Sequence, residues 1–140
     1  MILLHPSRHA MITAFASVDP NLAGPGLRGF TQIAKAWGLS DTEASAVLNR
    51  SLDDAFAQVA AGKLDEGWPE TFQRLSYVLG IYKALHIIFP SAQQAKGWVR
   101  RPNNGVRFKG GTALDLMCTS RLNDLAAVRE YLEAQGLDYP

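Results

Sequence analysis

The sequence is poor in the features that usually announce a chemistry. It holds one cysteine, Cys118, in 140 residues, so no internal disulfide can form and a reducing compartment is expected. No apolar run reaches membrane-spanning length; the longest, around residues 77–89, is interrupted by Gly80, Lys83 and His86. The opening MILLHPSRHAMI is too short, and its charge wrongly ordered, for a secretory signal. The expected location is therefore the cytoplasm, with no membrane contact. Alternation of apolar and polar residues is nearly missing, and only residues 106–108 suggest a brief strand. There is no Ser-His-Asp signature, Walker loop or dinucleotide fingerprint. That points to a chain with no catalytic residues, no cofactor and no enzymatic activity. An excess of one charge is lacking too: the net charge of +1 excludes a general polyanion binder.

What is present is apolar substance with clear helix punctuation. Apolar residues make up 47% and charged residues 19%, a composition that folds, and 140 residues suffice for one ordinary core or for two small helical modules sharing an interface. Residues 1–27 are weakly patterned, and NLAGPG reads as a turn or linker. Over residues 28–37, Phe30, Ile33, Ala34 and Trp37 share one helical face, with Gly38 as the stop. Ser40-Asp-Thr-Glu43 is a capping box opening a second helix with Ala44, Val47 and Leu48 inward. Ser51 and Asp54 repeat the pattern for a third, with Leu52, Phe56 and Val59 inward and Gly62 ending it. Pro69 and Glu70 suit the first turn of the longest helix, to about Phe89. Its two adjacent apolar stripes (Phe72, Leu75, Leu79, Tyr82, Phe89 and Val78, Ile81, Leu85, Ile88) predict a spine buried on more than one side, and a homodimer. After Pro90 come a short helix over 91–99, a Thr112–Asp115 capping box before Leu114–Cys118, and a last helix capped by Ser120, with Leu122, Leu125, Val128 and Leu132 inward and a stop at Gly136. The expectation is an all-α fold of about eight helices. It divides into an N-terminal segment (1–27), a helix-turn-helix module (28–68) and a C-terminal domain (69–140).

Residues 30–48 have helix-turn-helix spacing: Ala34 lets two helices cross closely, Gly38 takes the left-handed turn and Leu39 plugs the corner. In a DNA-binding version Asp41, Thr42, Ser45, Ala46 and Asn49 would face the major groove, with Lys35 and Arg50 reaching phosphates. A plain helical hairpin has the same pattern. Charge weighs against tight binding by one copy, because residues 30–66 carry three basic residues against six acidic ones and phosphate neutralisation provides most non-specific affinity. His5 and His9 are spaced i, i+4, but Pro6 and the missing further ligands argue against a metal site. His86, within the spine, reads as a core histidine and Cys118 as a small buried residue.

Positive charge gathers in one place. Five basic residues and no acid fall within residues 96–109, broken by Pro-Asn-Asn-Gly and closed by Gly110-Gly111-Thr112. Backbone N–H groups at that glycine turn, beside Arg107 and Lys109, could cradle a phosphate, or the glycines could simply permit a tight turn. The run Trp98-Val-Arg-Arg-Pro-Asn-Asn-Gly, leading to Gly110-Gly-Thr-Ala-Leu-Asp-Leu-Met117, resembles the toxin-binding domain of the Xre/MbcA/ParS-like antitoxins. Upstream, ETFQRLSYVLGIYKALHIIFP is similar to that family's long helix. Ala113 stands where the family usually has proline and Val99 where it usually has leucine. The resemblance implies a type II antitoxin, encoded with an NAD-degrading RES-domain toxin, that also binds operator DNA to repress its own operon. The toxin contacts it implies are Trp98, Arg100, Arg101, Pro102, Asn103, Asn104 and Gly110. The acidic aromatic tail suggests a further expectation: Asp138, Tyr139 and the Pro140 carboxylate approach the toxin's active site and exclude NAD⁺. A frayed terminus is the plain counterpart, and a stand-alone helix-turn-helix regulator without a toxin is the alternative for the whole chain.

Overall fold

The computed structural model describes residues 19–137, and every regular element among them is helical. A 3₁₀ turn, Pro20–Leu22, leads into α1 (Ala23–Ala36), followed by α2 (Asp41–Leu48), α3 (Leu52–Ala61) and α4 (Trp68–Ile88). Then come α5 (Ala92–Arg100), α6 (Ala113–Met117) and α7 (Leu122–Leu137). The fold is all-α, as the helix punctuation implied. Residues 106–108 form a turn and no strand; the extended contact falls instead at an isolated bridge between Pro102 and Thr112.

The caps at Ser40, Ser51 and Thr112 form where the sequence places them, whereas the last helix begins at Leu122, not directly after Ser120, and runs through Gly136 to Leu137. Ser40 Oγ accepts from the Glu43 N–H at 3.1 Å while Glu43 Oε1 accepts from the Ser40 N–H at 2.9 Å. Thr112 and Asp115 close a second box, and Ser51 and Ser91 each accept from the N–H three residues on. Gly38, at φ 69, turns the chain between α1 and α2, a conformation that costs a non-glycine residue about 1–2 kcal/mol.

One boundary differs. The NLAGPG stretch is not a linker, because α1 begins at Ala23 and runs through it. Pro25 sits in the first turn, where its missing N–H costs nothing. The flanking glycines serve close packing. A Cβ on Gly24 would meet Arg28 Nη1 at 3.2 Å and Val59 Cγ1 at 3.5 Å, and one on Gly26 would meet Leu75 Cδ1 at 3.1 Å. Two further expectations fail on orientation. Phe56 is on the exposed side of α3, with Ala55 taking the inward place. His86 is exposed, its ring edge-on to Tyr82 with centroids 4.2 Å apart.

The core is one continuous cluster running through both halves of the chain. Leu27, Phe30 and Ile33 of α1 and Leu125, Val128 and Leu132 of α7 pack on either side of α4, which contributes Val78, Ile81 and Leu85. Each such side chain is worth about 1.5–3 kcal/mol when fully buried. The spine's apolar excess is only partly spent there, since Leu79 and Ile87 remain 47% and 71% exposed. Leu79 borders an apolar groove of about 450 Å³ between α1 and α4, lined also by Phe30, Ile33, Phe72 and Leu75.

The most deeply buried charge on the spine is Arg74, with no exposed surface. Its Nη1 donates to the Val47 carbonyl at 3.1 Å, its Nη2 to the Ser120 carbonyl at 2.8 Å and its Nε to Glu70 Oε2 at 2.9 Å. The guanidinium thus supplies donors to the last turn of α2 and to the loop before α7. A helix end left without partners in a core would be costly.

Candidate functional site

The basic stretch folds into a pinned bend at the end of α5. Asn103 is its hinge: its N–H donates to the Gly111 carbonyl at 2.9 Å, and its own carbonyl accepts from the Gly110 N–H at 3.1 Å. Its side-chain Oδ1 accepts from the Gly105 N–H at 2.7 Å. Beneath the bend, Phe108 is buried edge-on between Trp98 and Tyr131, with ring centroids at 6.0 and 5.0 Å. Trp98 itself is half-buried and stacked on Tyr131 at 6.3 Å, so it shapes the bend from below. The structure brings Trp98, Arg101, Pro102, Asn103, Asn104 and Gly110 together here, and turns the Arg100 guanidinium to the α1–α2 turn. Arg101, Pro102 and Asn104 are exposed on its outer side. Asp138, Tyr139 and Pro140 lie outside the described residues.

The glycine turn cannot serve as an open anion cradle. Its Gly110, Gly111 and Thr112 N–H groups are already donated, to the Asn103 carbonyl, the Phe108 carbonyl and Asp115 Oδ2. The glycines make the turn, as the plain reading of them has it.

Arg100 points away from the bend's outer side. Its Nη2 donates to Glu43 Oε1 at 2.7 Å and to the Gly38 carbonyl at 2.8 Å, and its Nη1 to Glu43 Oε2 at 3.1 Å. The forked pairing is the strong guanidinium–carboxylate geometry. Glu43 is also the carboxylate of the α2 capping box, so one side chain closes the helix start and receives the arginine. The hydrogen bond from Arg100, with that from the Ser40 N–H second, holds the Glu43 carboxyl down from 4.5 to about 2. Lys96, one turn earlier in α5, packs against the same turn, so that a Cβ on Gly38 would meet its Cε at 2.9 Å. The basic stretch is therefore joined physically to the turn between α1 and α2.

On the α1–α2 face, Lys35, Asp41 and Thr42 are exposed. Ser45 and Ala46 are half-buried, and the Ser45 hydroxyl accepts from the Leu52 N–H at 3.3 Å. Asn49 caps α2 in the left-handed region at φ 58 and donates to Glu70 Oε2 at 3.4 Å. Arg50 is spent inside the protein. It forks onto Asp65 at 3.0 and 3.3 Å, reaches Asp54 and Thr71, and lies 5.0 Å from the Trp68 ring centroid. Asp65 is held below its usual range chiefly by the Gln58 amide, with Arg50 adding to it. With Arg50 committed, Lys35 is the basic side chain this face leaves at the surface from the expected contact set.

Sequence reasoning missed Glu43 as the partner of Arg100, the Phe108–Tyr131 support under the bend, and Arg74. Only Arg74 left a usable signal, the i, i+4 spacing from Glu70. Among the described residues no cluster of His, Cys, Asp or Glu could hold a metal, and no helix is long and apolar enough to cross a membrane.

The same stretch of sequence is matched among known proteins. Residues 84–136 match the family described as the antitoxin Xre/MbcA/ParS C-terminal toxin-binding domain. The match takes in the end of α4, the whole bend and most of α7. The chain is also similar to the uncharacterized protein y4oB of Sinorhizobium fredii (strain NBRC 101917 / NGR234). The two are 39% identical over 111 residues, covering 78% of this chain and 82% of that one.

Proposed function

We propose, from the premise that this chain belongs to the antitoxin family carrying the Xre/MbcA/ParS C-terminal toxin-binding domain, that it binds and silences a RES-domain, NAD-degrading toxin. It does so as a cytoplasmic homodimer, through the bend after α5, and represses its own operon through the α1–α2 hairpin acting as a helix-turn-helix. The domain boundaries follow the same reading, with the DNA-binding module at 28–68 and the toxin-binding domain at 69–140. The observation that carries it is the pinned bend: an outward face with Arg101, Pro102 and Asn104 on a support of Trp98, Phe108 and Tyr131, inside the stretch matched to toxin-binding domains. A second copy covering the groove beside Leu79 accounts for the apolar surface that α4 leaves uncovered. The acidic reading helix and the engagement of Arg50 favour weak DNA affinity per copy, with dimerisation adding avidity. Asp138, Tyr139 and Pro140, C-terminal in sequence to the toxin-binding bend, are the segment we assign to the toxin's cleft.

The test is co-expression with the RES-domain protein encoded beside it. Rescue of growth, a stable complex whose native mass contains two copies of this chain, and retarded migration of the operon's upstream DNA are the expected results. Deleting residues 137–140 should restore toxicity while the complex persists. Failure to rescue growth, or to form any complex, would sink the antitoxin reading. DNA retardation without a complex would favour the stand-alone regulator.

A further inference from the structure

The bend carries one feature that the family resemblance did not supply. Val106, at the tip of the loop, is 90% exposed. A single exposed valine is ordinary on a protein surface; what sets this one apart is the rigidity of its mount. The loop is closed at its base by the Pro102–Thr112 bridge. Inside, the Phe108 and Lys109 N–H groups both donate to the Gly105 carbonyl, at 3.0 and 3.2 Å, and the Gly111 N–H donates to the Phe108 carbonyl at 2.7 Å. With the Asn103 bonds, this fixes the backbone on both sides of Val106, and Phe108 anchors it in the core at 5% exposure. Burial of Phe108 explains why the loop has this shape. It does not explain an aliphatic side chain at the tip, where a polar residue would fold equally well.

The surroundings select the kind of partner. Arg101 and Lys109 are exposed with no ion pair among the described residues, and Arg107 has only a 3.9 Å contact with Glu130. No acid lies between residues 96 and 109. An exposed apolar tip flanked along the chain by Arg101, Arg107 and Lys109, of which only Arg107 has an ion pair among the described residues, fits an apolar socket with carboxylates at its rim. Because the loop is ordered before contact, binding does not have to meet the entropy of fixing it.

We propose that Val106 is a preformed anchor that inserts into an acid-rimmed apolar socket on the toxin. This rests on the toxin-binding reading above and adds to it the residue that carries the contact and the chemistry of the surface that receives it. The experiment measures binding of the full chain to the RES-domain protein encoded beside it, for the wild type, Val106→Asp and Val106→Ile. Val106→Asp should raise Kd by about tenfold or more, equal to about 1.4 kcal/mol, with circular dichroism and melting temperature unchanged, since the residue is exposed. Val106→Ile should bind close to wild type. A smaller loss for Val106→Asp, with wild-type binding intact, overturns the anchor and leaves the toxin reading standing. Absence of wild-type binding removes the toxin reading and the anchor with it.

Discussion

Replacing Arg74 by methionine tests whether the two halves of the chain are held by a buried guanidinium. Methionine keeps most of the stem's volume, so the cavity left behind is small and the effect reports on hydrogen bonding. The buried carbonyl of Val47 and the part-buried carbonyl of Ser120 lose charged donors at 3.1 and 2.8 Å. Each such bond is worth about 1.5–3 kcal/mol net. The guanidinium's own desolvation, several kcal/mol in real proteins, is relieved by the substitution and offsets part of the loss. Glu70 contributes little to the balance, because its side chain is 49% exposed and water replaces the arginine. The expected destabilisation is therefore about 2–4 kcal/mol, or about 10 °C in melting temperature for a chain of this size. Urea denaturation at neutral pH, followed by circular dichroism, measures it. Glu70→Gln is the control and should cost about 1 kcal/mol or less. If Arg74→Met lies within about 0.5 kcal/mol of wild type with an unchanged m-value, the guanidinium is not what fixes the end of α2.

The Arg100–Glu43 pair is partly exposed, at 41% and 30%, so a double-mutant cycle with Arg100→Ala and Glu43→Gln should give a coupling of about 0.5–1 kcal/mol; strictly additive effects would show the pair to be idle. Because folding depresses the Glu43 carboxyl from 4.5 to about 2, its contribution is complete above pH 4.5 and is lost as pH falls towards 2, so acid titration of wild type and Glu43→Gln should diverge within that window. Gly38→Ala forces a Cβ into the left-handed region and towards Lys96; thermal unfolding should report about 1–2 kcal/mol of destabilisation, and an unchanged melting temperature would contradict the backbone geometry.

Local grammar was the legible part. The caps at Ser40, Ser51 and Thr112 all formed, two of them as full boxes and Ser51 by its forward bond alone, because a cap depends on residues three apart and little else. Gly38 and Gly62 ended their helices for the same local reason. The glycines of α1 misled: Gly24, Gly26 and Pro25 have turn composition, yet their function is set by Val59 and Leu75, which are distant in sequence. His86 and Phe56 failed because a helical stripe gives direction only relative to partners not visible in the stripe. Of the candidate site, the assembly of residues 98–110 was legible from the motif. The orientation of Arg100 was not, since Glu43 lies 57 positions away and is already accounted for locally by its cap.

That orientation changes how the basic stretch divides its labour. Counted along the chain, Arg100 and Arg101 are adjacent cations in the stretch matched to toxin-binding domains. In space they serve different neighbours, Arg100 closing on the α1–α2 turn and Arg101 remaining at the surface of the bend. A charge reversal covering both would place a carboxylate against Glu43 and disturb the start of α2, so its effect on toxin binding would be mixed with damage to the hairpin. Arg101 alone is the clean probe of the outer face. The same geometry gives the two activities of the proposed antitoxin a common element: the turn that would orient a reading helix is held by the helix from which the toxin-facing bend departs. Lys96 and Arg100 of α5 meet that turn directly, at Gly38 and Glu43.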